Sequence, residues 1–153
     1  MSKPKAIICD LDGTLFNIDH RLKYIDGSLG KKDWNRFYSE MEHDTPNEWC
    51  QYLLACMLED SSELIPLYVT GRPDKYMHLT NRSITGLFGY HVAHIFMRKE
   101  DDFRKDSVIK KEIYYTEIKD KYDVIFCLED RKQVVDMWRK EGLVCLQCAH
   151  GEF

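Results

Sequence analysis

Two aspartates, Asp10 and Asp12, follow directly on the apolar run Ala6-Ile7-Ile8-Cys9 and lead into Gly13-Thr14. The run is too short for a helix and ends in a turn, so it reads as a buried strand carrying two acids at its carboxyl end. In extended chain, residues two apart point the same way. Both carboxylates therefore share one side while Leu11 turns into the core. Gly13 lets the backbone approach a ligand closely. Further acids, Glu129-Asp130, close a later apolar run. Four carboxylates in one place would repel each other unless a cation lay between them. Magnesium, which takes oxygen ligands, resolves that conflict and would also withdraw charge from a bound phosphate. Asp10, Asp12, Glu129 and Asp130 are thus the expected metal residues.

These residues need a scaffold that brings distant strand ends together. The run from Leu64 to Val69 is interrupted at Pro66 and closed by Thr70-Gly71-Arg72-Pro73. His91 to Met97 is followed by Arg98, Val124 to Leu128 by Glu129, and Leu143 to Leu146 makes a fifth short run. Helical patterns lie between them. Thr45-Pro46-Asn47-Glu48 has the form of a helix start, with a capping threonine, a proline at the first position and a glutamate three after the cap. Trp49, Leu53, Cys56 and Met57 would form the apolar stripe of that helix. A second helix is expected from Pro73 to Leu87, stopping near Gly86 or Gly89. Asp106 can cap a third, with Val108, Ile109, Ile113 and Thr116 inward, and Val134, Val135 and Trp138 line a fourth that Gly142 ends.

Strands alternating with helices indicate an α/β fold of Rossmann-like form, a central parallel five-stranded sheet with helices on both faces. Ligands bind such sheets beyond the carboxyl ends of the strands. Residues 1–153 read as one domain with an irregular, partly helical insert, 17–44, after the first strand. Within it Trp34, Phe37, Tyr38 and Met41 recur at helical spacing, as core residues do; the same aromatics, with Trp49, are also of the kind that stack on bases.

Composition narrows the function. Hydrophobic residues make up 44% and charged residues 31% of 153, an ordinary globular balance. No apolar run approaches the ~20 residues of a membrane span, and the N-terminus lacks a signal-peptide pattern, so no membrane role and a cytoplasmic location are expected. The formal net charge of −4 argues against tight duplex binding by counterion release, though not against a local basic funnel. Cys145 and Cys148 form a CxxC beside His150, but no second ligand pair at similar spacing exists. The six cysteines therefore read as packed, reduced thiols, and the six histidines show no ligand pattern.

Asp10-Leu11-Asp12-Gly13-Thr14-Leu15 resembles the first motif of the haloacid dehalogenase (HAD) phosphatase superfamily, and Thr70, Lys110 and Glu129-Asp130 match its later motifs in order. The segments Arg104 to Lys110 and Glu129 to Arg139 further resemble the 3′-phosphatase domains of polynucleotide kinase–phosphatases, known from a bacteriophage. That likeness extends to Gly151-Glu152-Phe153 and takes in Arg21, Arg72 and Arg98. The chain departs from the pattern by having Glu129 where the relative has aspartate, and it contains no kinase-type phosphate-binding loop.

The resemblance implies roles for single residues. Asp10 would attack phosphorus, and Asp12 would protonate the leaving oxygen and then activate water. Thr70 would bind a phosphate oxygen together with the amides of Leu11 and Gly71, and Lys110 would neutralise charge. Asp130 would hold the metal directly, with Glu129 acting through water or by orienting its neighbours. Arg21, Arg72, Arg98 and Arg131 would form a collar on the phosphate and the nucleotide end, where the guanidinium fork suits oxygen pairs. The activity implied is removal of a 3′-phosphate from DNA or RNA ends or nucleoside 3′-monophosphates, with a separate kinase or ligase as partner. A HAD phosphatase of nucleotides or small metabolites is the alternative. A non-catalytic phosphate-gripping module is a third reading, which the nucleophile at Asp10 disfavours.

Overall fold

The computed structural model describes residues 1–60, 63–89 and 93–151. Strand β1 (Lys5–Cys9) runs into the turn holding Asp10 and Asp12 and is followed by β2 (Phe16–Asn17), α1 (Asp19–Leu22) and α2 (Trp34–Ser39). Then come β3 (Thr45–Pro46), α3 (Glu48–Asp60), β4 (Ile65–Pro73) and α4 (Met77–Phe88). The second half is β5 (His94–Arg98), α5 (Asp106–Ile113) with a π turn over Tyr114–Ile118, β6 (Asp123–Arg131), α6 (Lys132–Lys140) and β7 (Cys145–Gly151).

The main sheet has the order β5-β4-β1-β6-β7, with every pairing parallel. Side chains alternate across a strand, so each face of the sheet carries its own core. Ala6 and Ile8 of β1 join Leu67, Val69, Val134, Val135 and Trp138 on one face. Ile7 and Cys9 join Tyr68, Cys50, Leu54 and Ile84 on the other. The central strands β1 and β4 are largely buried on both sides, as expected of strands sandwiched between helices, whereas the edge strand β7 is mostly exposed.

Several local expectations are corrected. Thr45–Pro46 does not start a helix. It pairs antiparallel with Phe16–Asn17, and Asn47 donates its backbone N–H to Leu15 O (2.8 Å) and its side-chain amide to Thr14 O (2.8 Å). These bonds tie the end of the insert to the turn after β1, and α3 begins at Glu48. The buried stripe of α3 is Cys50 and Leu54, backed by Met57 and Leu58, while Trp49 and Tyr52 are exposed. Apolar residues stand at helical spacing in both phases, and packing on the sheet selects one. Pro66 does not interrupt β4; it pairs with Ile7, and β5 begins pairing only at Leu67. The strand expected from His91 begins at His94, and His91, Glu152 and Phe153 lie outside the described residues. Of the two candidate glycines, Gly89 ends α4, in the left-handed conformation.

Candidate active site

The ends of β1, β4, β5 and β6 each place at least one residue on the lining of one cleft beyond the carboxyl edge of the sheet, with Arg72, Glu129 and Asp130 buried beneath it. One part of its lining is charged or polar: Asp10, Asp12, Thr70, Arg98, Asp106 and Arg131, with Gly71. The turn after β1 sets Asp10 and Asp12 there together while Leu11 is fully buried in the core. Gly13 adopts φ +83°, and a side chain at that position would collide with the Asp130 carboxylate.

Asp10 is 5% exposed and held from two sides. Lys110 Nζ donates to its Oδ1 at 2.8 Å, and Thr14 Oγ1 donates to its Oδ2 at 3.0 Å. Lys110 is fully buried and also donates to Glu129 Oε2 at 2.8 Å. Burial works against its ammonium, yet Asp10, Asp106 and Glu129 outweigh that and hold its pKa well above the usual lysine range. Glu129 is pinned further, its Oε1 accepting from the backbone N–H of Asp130 and Arg131.

Asp10, Glu129 and Asp130 each offer an oxygen within 4.8 Å of the others. Burial and the neighbouring Asp10 push Glu129 well above the carboxylate range, and push Asp130 up to about 7. Asp130 Oδ1 is buried with no hydrogen-bond partner. An orphaned buried oxygen among three crowded carboxylates is the environment that a hard, oxygen-seeking cation satisfies. The donor set therefore fits a divalent ion. The fourth acid expected there stands outside the group.

The carboxylate of Asp12 is taken by two arginines instead. Its Oδ1 accepts from Arg21 Nη2 at 2.7 Å and from Arg72 Nε at 2.9 Å and Nη2 at 2.5 Å. Burial alone would raise its pKa, but Arg72 and Arg21 prevail and lower it to about 2. Both arginines also bind Asp44, with Arg21 at 2.7–2.8 Å and Arg72 at 3.1 Å, and His20 Nε2 lies 2.8 Å from the same carboxylate. Arg21 and Arg72 are 0% and 1% exposed. The four arginines thus do not make one collar. Two lie behind Asp12, and two, Arg98 and Arg131, border the cleft.

Asp106 does not cap α5. It is the first helical residue, its side chain makes no capping bond, and it turns into the site. Lys110 Nζ lies 3.5 Å from its Oδ2, Arg98 Nη2 3.5 Å from Oδ1 and Arg131 Nη1 3.4 Å from Oδ2. Arg98 is fixed as well by the carbonyls of Gly71 (2.9 Å), Asp102 (2.8 Å) and Arg104 (2.7 Å). Thr70 is 1% exposed, and its Oγ1 accepts from the Arg72 N–H at 3.2 Å. Lys111 and Lys105 face solvent, and Lys111 pairs with Glu141.

Sequence reasoning missed Asp44, Asp106 and Thr14. Asp106 had a signal in its i, i+4 spacing to Lys110. Asp44 had none, because the turn after α2 alone brings it to the arginines. Cys148, from the CxxC pair, sits half-buried with its Sγ 3.7 Å from Thr14 Oγ1.

A parallel sheet with an Asp-Leu-Asp-Gly-Thr turn on its first strand, a buried lysine on the first acid of that turn and a carboxylate pair on β6 defines a phosphatase of the HAD class. Residues 4–153 match the family model described as the polynucleotide kinase PNKP phosphatase domain, and the chain belongs to that family. It is 36% identical, with a TM-score of 0.81, to a chain of the Pnkp1/Rnl/Hen1 RNA repair complex, covering 100% of this chain and 45% of that one. A second structure of a Pnkp1/Rnl/Hen1 complex gives 35% and 0.78, over 100% of this chain and 48% of that one. A class C acid phosphatase from Bacillus anthracis shares the fold, with a TM-score of 0.60 at 15% identity over 88% of this chain and 54% of its own. A protein of Autographa californica nuclear polyhedrosis virus, described as a bifunctional polynucleotide kinase/RNA ligase, is 30% identical over 137 residues. That match takes in 89% of this chain and 18% of the viral protein. The chain thus spans less than half the length of these repair relatives. Among the described residues no helix is long and apolar enough to cross a membrane.

Proposed function

We propose that residues 1–153 form one phosphatase domain that removes 3′-phosphate from DNA or RNA ends, or from nucleoside 3′-monophosphates, through an aspartyl-phosphate (an acyl phosphate) on Asp10. The observation that carries this reading is Asp10 itself, on the cleft floor between Lys110 and Thr14, with the Asp12 carboxylate in the same cleft. In the first step an Asp10 oxygen bonds to phosphorus as the bond to the ribose oxygen breaks, and Asp12 delivers a proton to that oxygen. In the second, water attacks phosphorus, Asp12 takes its proton, and inorganic phosphate leaves Asp10 free.

Asp12 rests ionised, which suits the water-activating step; the negative charge of an arriving phosphate raises its proton affinity for the first. Arg21 and Arg72 aim that carboxylate. Thr70, with the amides of Leu11 and Gly71, binds phosphate oxygens, and Arg98 and Arg131 face the negative charge at the cleft edge. A magnesium ion held by Asp130 and Asp10, with Glu129 orienting its neighbours and Asp12 close by, would withdraw charge from the phosphate. The insert 17–44 is a partial lid that leaves room for a polymer end.

A 3′-hydroxyl is what a ligase needs, and the relatives' names join kinase, ligase and repair complexes. We therefore place kinase and ligase activities with this domain, as companion chains or domains. Six free cysteines suit a reducing, cytoplasmic setting.

Phosphate release from a 3′-phosphorylated oligonucleotide, compared with free 5′-nucleotides, tests the reading with magnesium added and with chelator. Release from the oligonucleotide should dominate, should need the metal, and should fall to background in Asp10→Asn with the fold intact. Faster release from 5′-nucleotides, or turnover in Asp10→Asn, would overturn it.

A further inference from the structure

The cleft has a second, apolar side. Ile18, Ile25, Trp34, Phe37 and Tyr38 line it opposite the charged floor. The helical spacing of Trp34, Phe37 and Met41 suggests core residues, and Phe37 and Met41 are buried at 4% and 1% exposure. Trp34 is not, at 45% exposed. Its ring stacks near-parallel on Tyr38 (centroids 6.1 Å apart, 26° between planes), and Tyr38 lies tilted on Tyr76 (5.5 Å, 33°). Phe37 packs edge-on against both Trp34 and Tyr38, at 5.7 and 5.1 Å. The result is a braced aromatic array whose outer ring borders the cleft.

Tyr38 joins the two sides. Burial and the charge of Asp12 push its phenol up to about 12, so it stays neutral at the edge of the charged floor. Beyond Trp34, Lys31 and Lys32 border the same shallow depression, and Lys32 Nζ lies 5.9 Å from the Trp34 ring centre. Trp34 lines both depressions, so the surface offers a phosphate site, one exposed aromatic ring beside it and two exposed cations beyond that ring.

We infer that Trp34, braced from behind by Tyr38, is the platform on which the base of the 3′-terminal nucleotide stacks, and that Lys31 and Lys32 meet the backbone phosphate on the 5′ side of that nucleotide. This inference rests on the 3′-phosphatase reading and adds what holds the substrate beyond its scissile group. Bases stack on aromatic faces whatever their identity, so the platform recognises the presence of a base and not its kind. A substrate consisting of phosphate on a small polyol would leave these rings without a partner.

The test compares release from a short 3′-phosphorylated oligonucleotide with release from the same oligonucleotide ending in an abasic 3′-phosphate, with magnesium present. The wild type should favour the base-bearing end by about tenfold in kcat/KM, for purine and pyrimidine alike. Trp34→Ala should bring that ratio to about one, and Trp34→Phe should keep most of it. A second readout needs no turnover. In Asp10→Asn, a 3′-phosphorylated dinucleotide should quench tryptophan fluorescence, and Asp10→Asn with Trp34→Phe should lose the quench. Equal release from both ends by the wild type, or an undiminished preference in Trp34→Ala, overturns the platform while leaving the 3′-phosphatase reading intact. Release from neither end, with release from a free 5′-nucleotide, overturns that reading and this inference together.

Discussion

Asp44 sets how two buried arginines behave. Arg21 and Arg72 face two carboxylates, Asp12 and Asp44, so Asp12 carries only part of their charge. Removing one member of a buried ionic network leaves the others uncompensated, which costs about 3 kcal/mol. Asp44→Asn keeps the shape but turns both guanidiniums wholly toward Asp12, lowering its proton affinity further, so the protonated form that the proposed first step needs becomes scarcer. We expect kcat to fall about tenfold or more on esters with poor leaving groups and much less on activated ones, which need no proton. Measuring kcat against leaving-group pKa decides it, and an equal loss on all esters would show that Asp44 only holds the fold. Arg98 and Arg131, at the cleft edge, should act instead on the affinity for phosphate.

Helix α6 shows how an element that adds no side chain to the cleft lining positions the site. Val134, Val135 and Trp138 recur on one face and pack under β1, β4 and β6, so the helix backs the strand that delivers Glu129 and Asp130. Trp138 is fully buried and meets Tyr114 edge-on at 5.8 Å. Trp138→Ala deletes the largest side chain in that core and leaves a cavity the sheet cannot close, a loss of about 3–5 kcal/mol. The urea midpoint should fall by a corresponding amount at an unchanged slope. A loss under about 1 kcal/mol would mean that the helix does not anchor β6 through this ring.

For the molecule as a whole, the three crowded carboxylates couple stability to pH and metal. Asp130 is raised to about 7 in the folded state, against about 4 for a free aspartate. A carboxyl raised by folding keeps a proton that the unfolded chain releases, so stability without metal declines as pH rises from about 4 to about 7. A divalent ion replaces that proton and removes the repulsion. Magnesium should therefore raise Tm more at about pH 8 than at about pH 5, where protons compete for the same oxygens. Thermal melts across a magnesium series at both pH values measure this, and equal shifts at both would argue against these carboxylates as the ligands.

The sequence alone determined the parallel α/β plan, because short apolar runs without polar alternation leave few options besides strands buried on both faces. It also located Asp10, Asp12, Thr70, Glu129 and Asp130, since open parallel sheets gather their strand ends at one edge, whereas Lys110, on a helix among other lysines, was marked only by the resemblance to the HAD motifs. The phase of α3 was beyond it, because Trp49 and Cys50 both begin plausible apolar stripes. So were the fate of Thr45–Pro46, whose local signal for a helix lost to pairing with Phe16–Asn17, and the role of Asp106, which reads as a cap and folds inward. Only the tertiary structure divided the arginines into a pair behind Asp12 and a pair at the cleft edge, and only it brought Asp44 to the first pair. Guanidiniums go where buried carboxylates are, and which carboxylates meet across 23 or 28 residues of chain is decided by packing, not by local pattern. The exposed Trp34 follows the same logic. Its helical spacing matches that of buried neighbours, and only the position of α2 beside the cleft leaves its ring partly exposed.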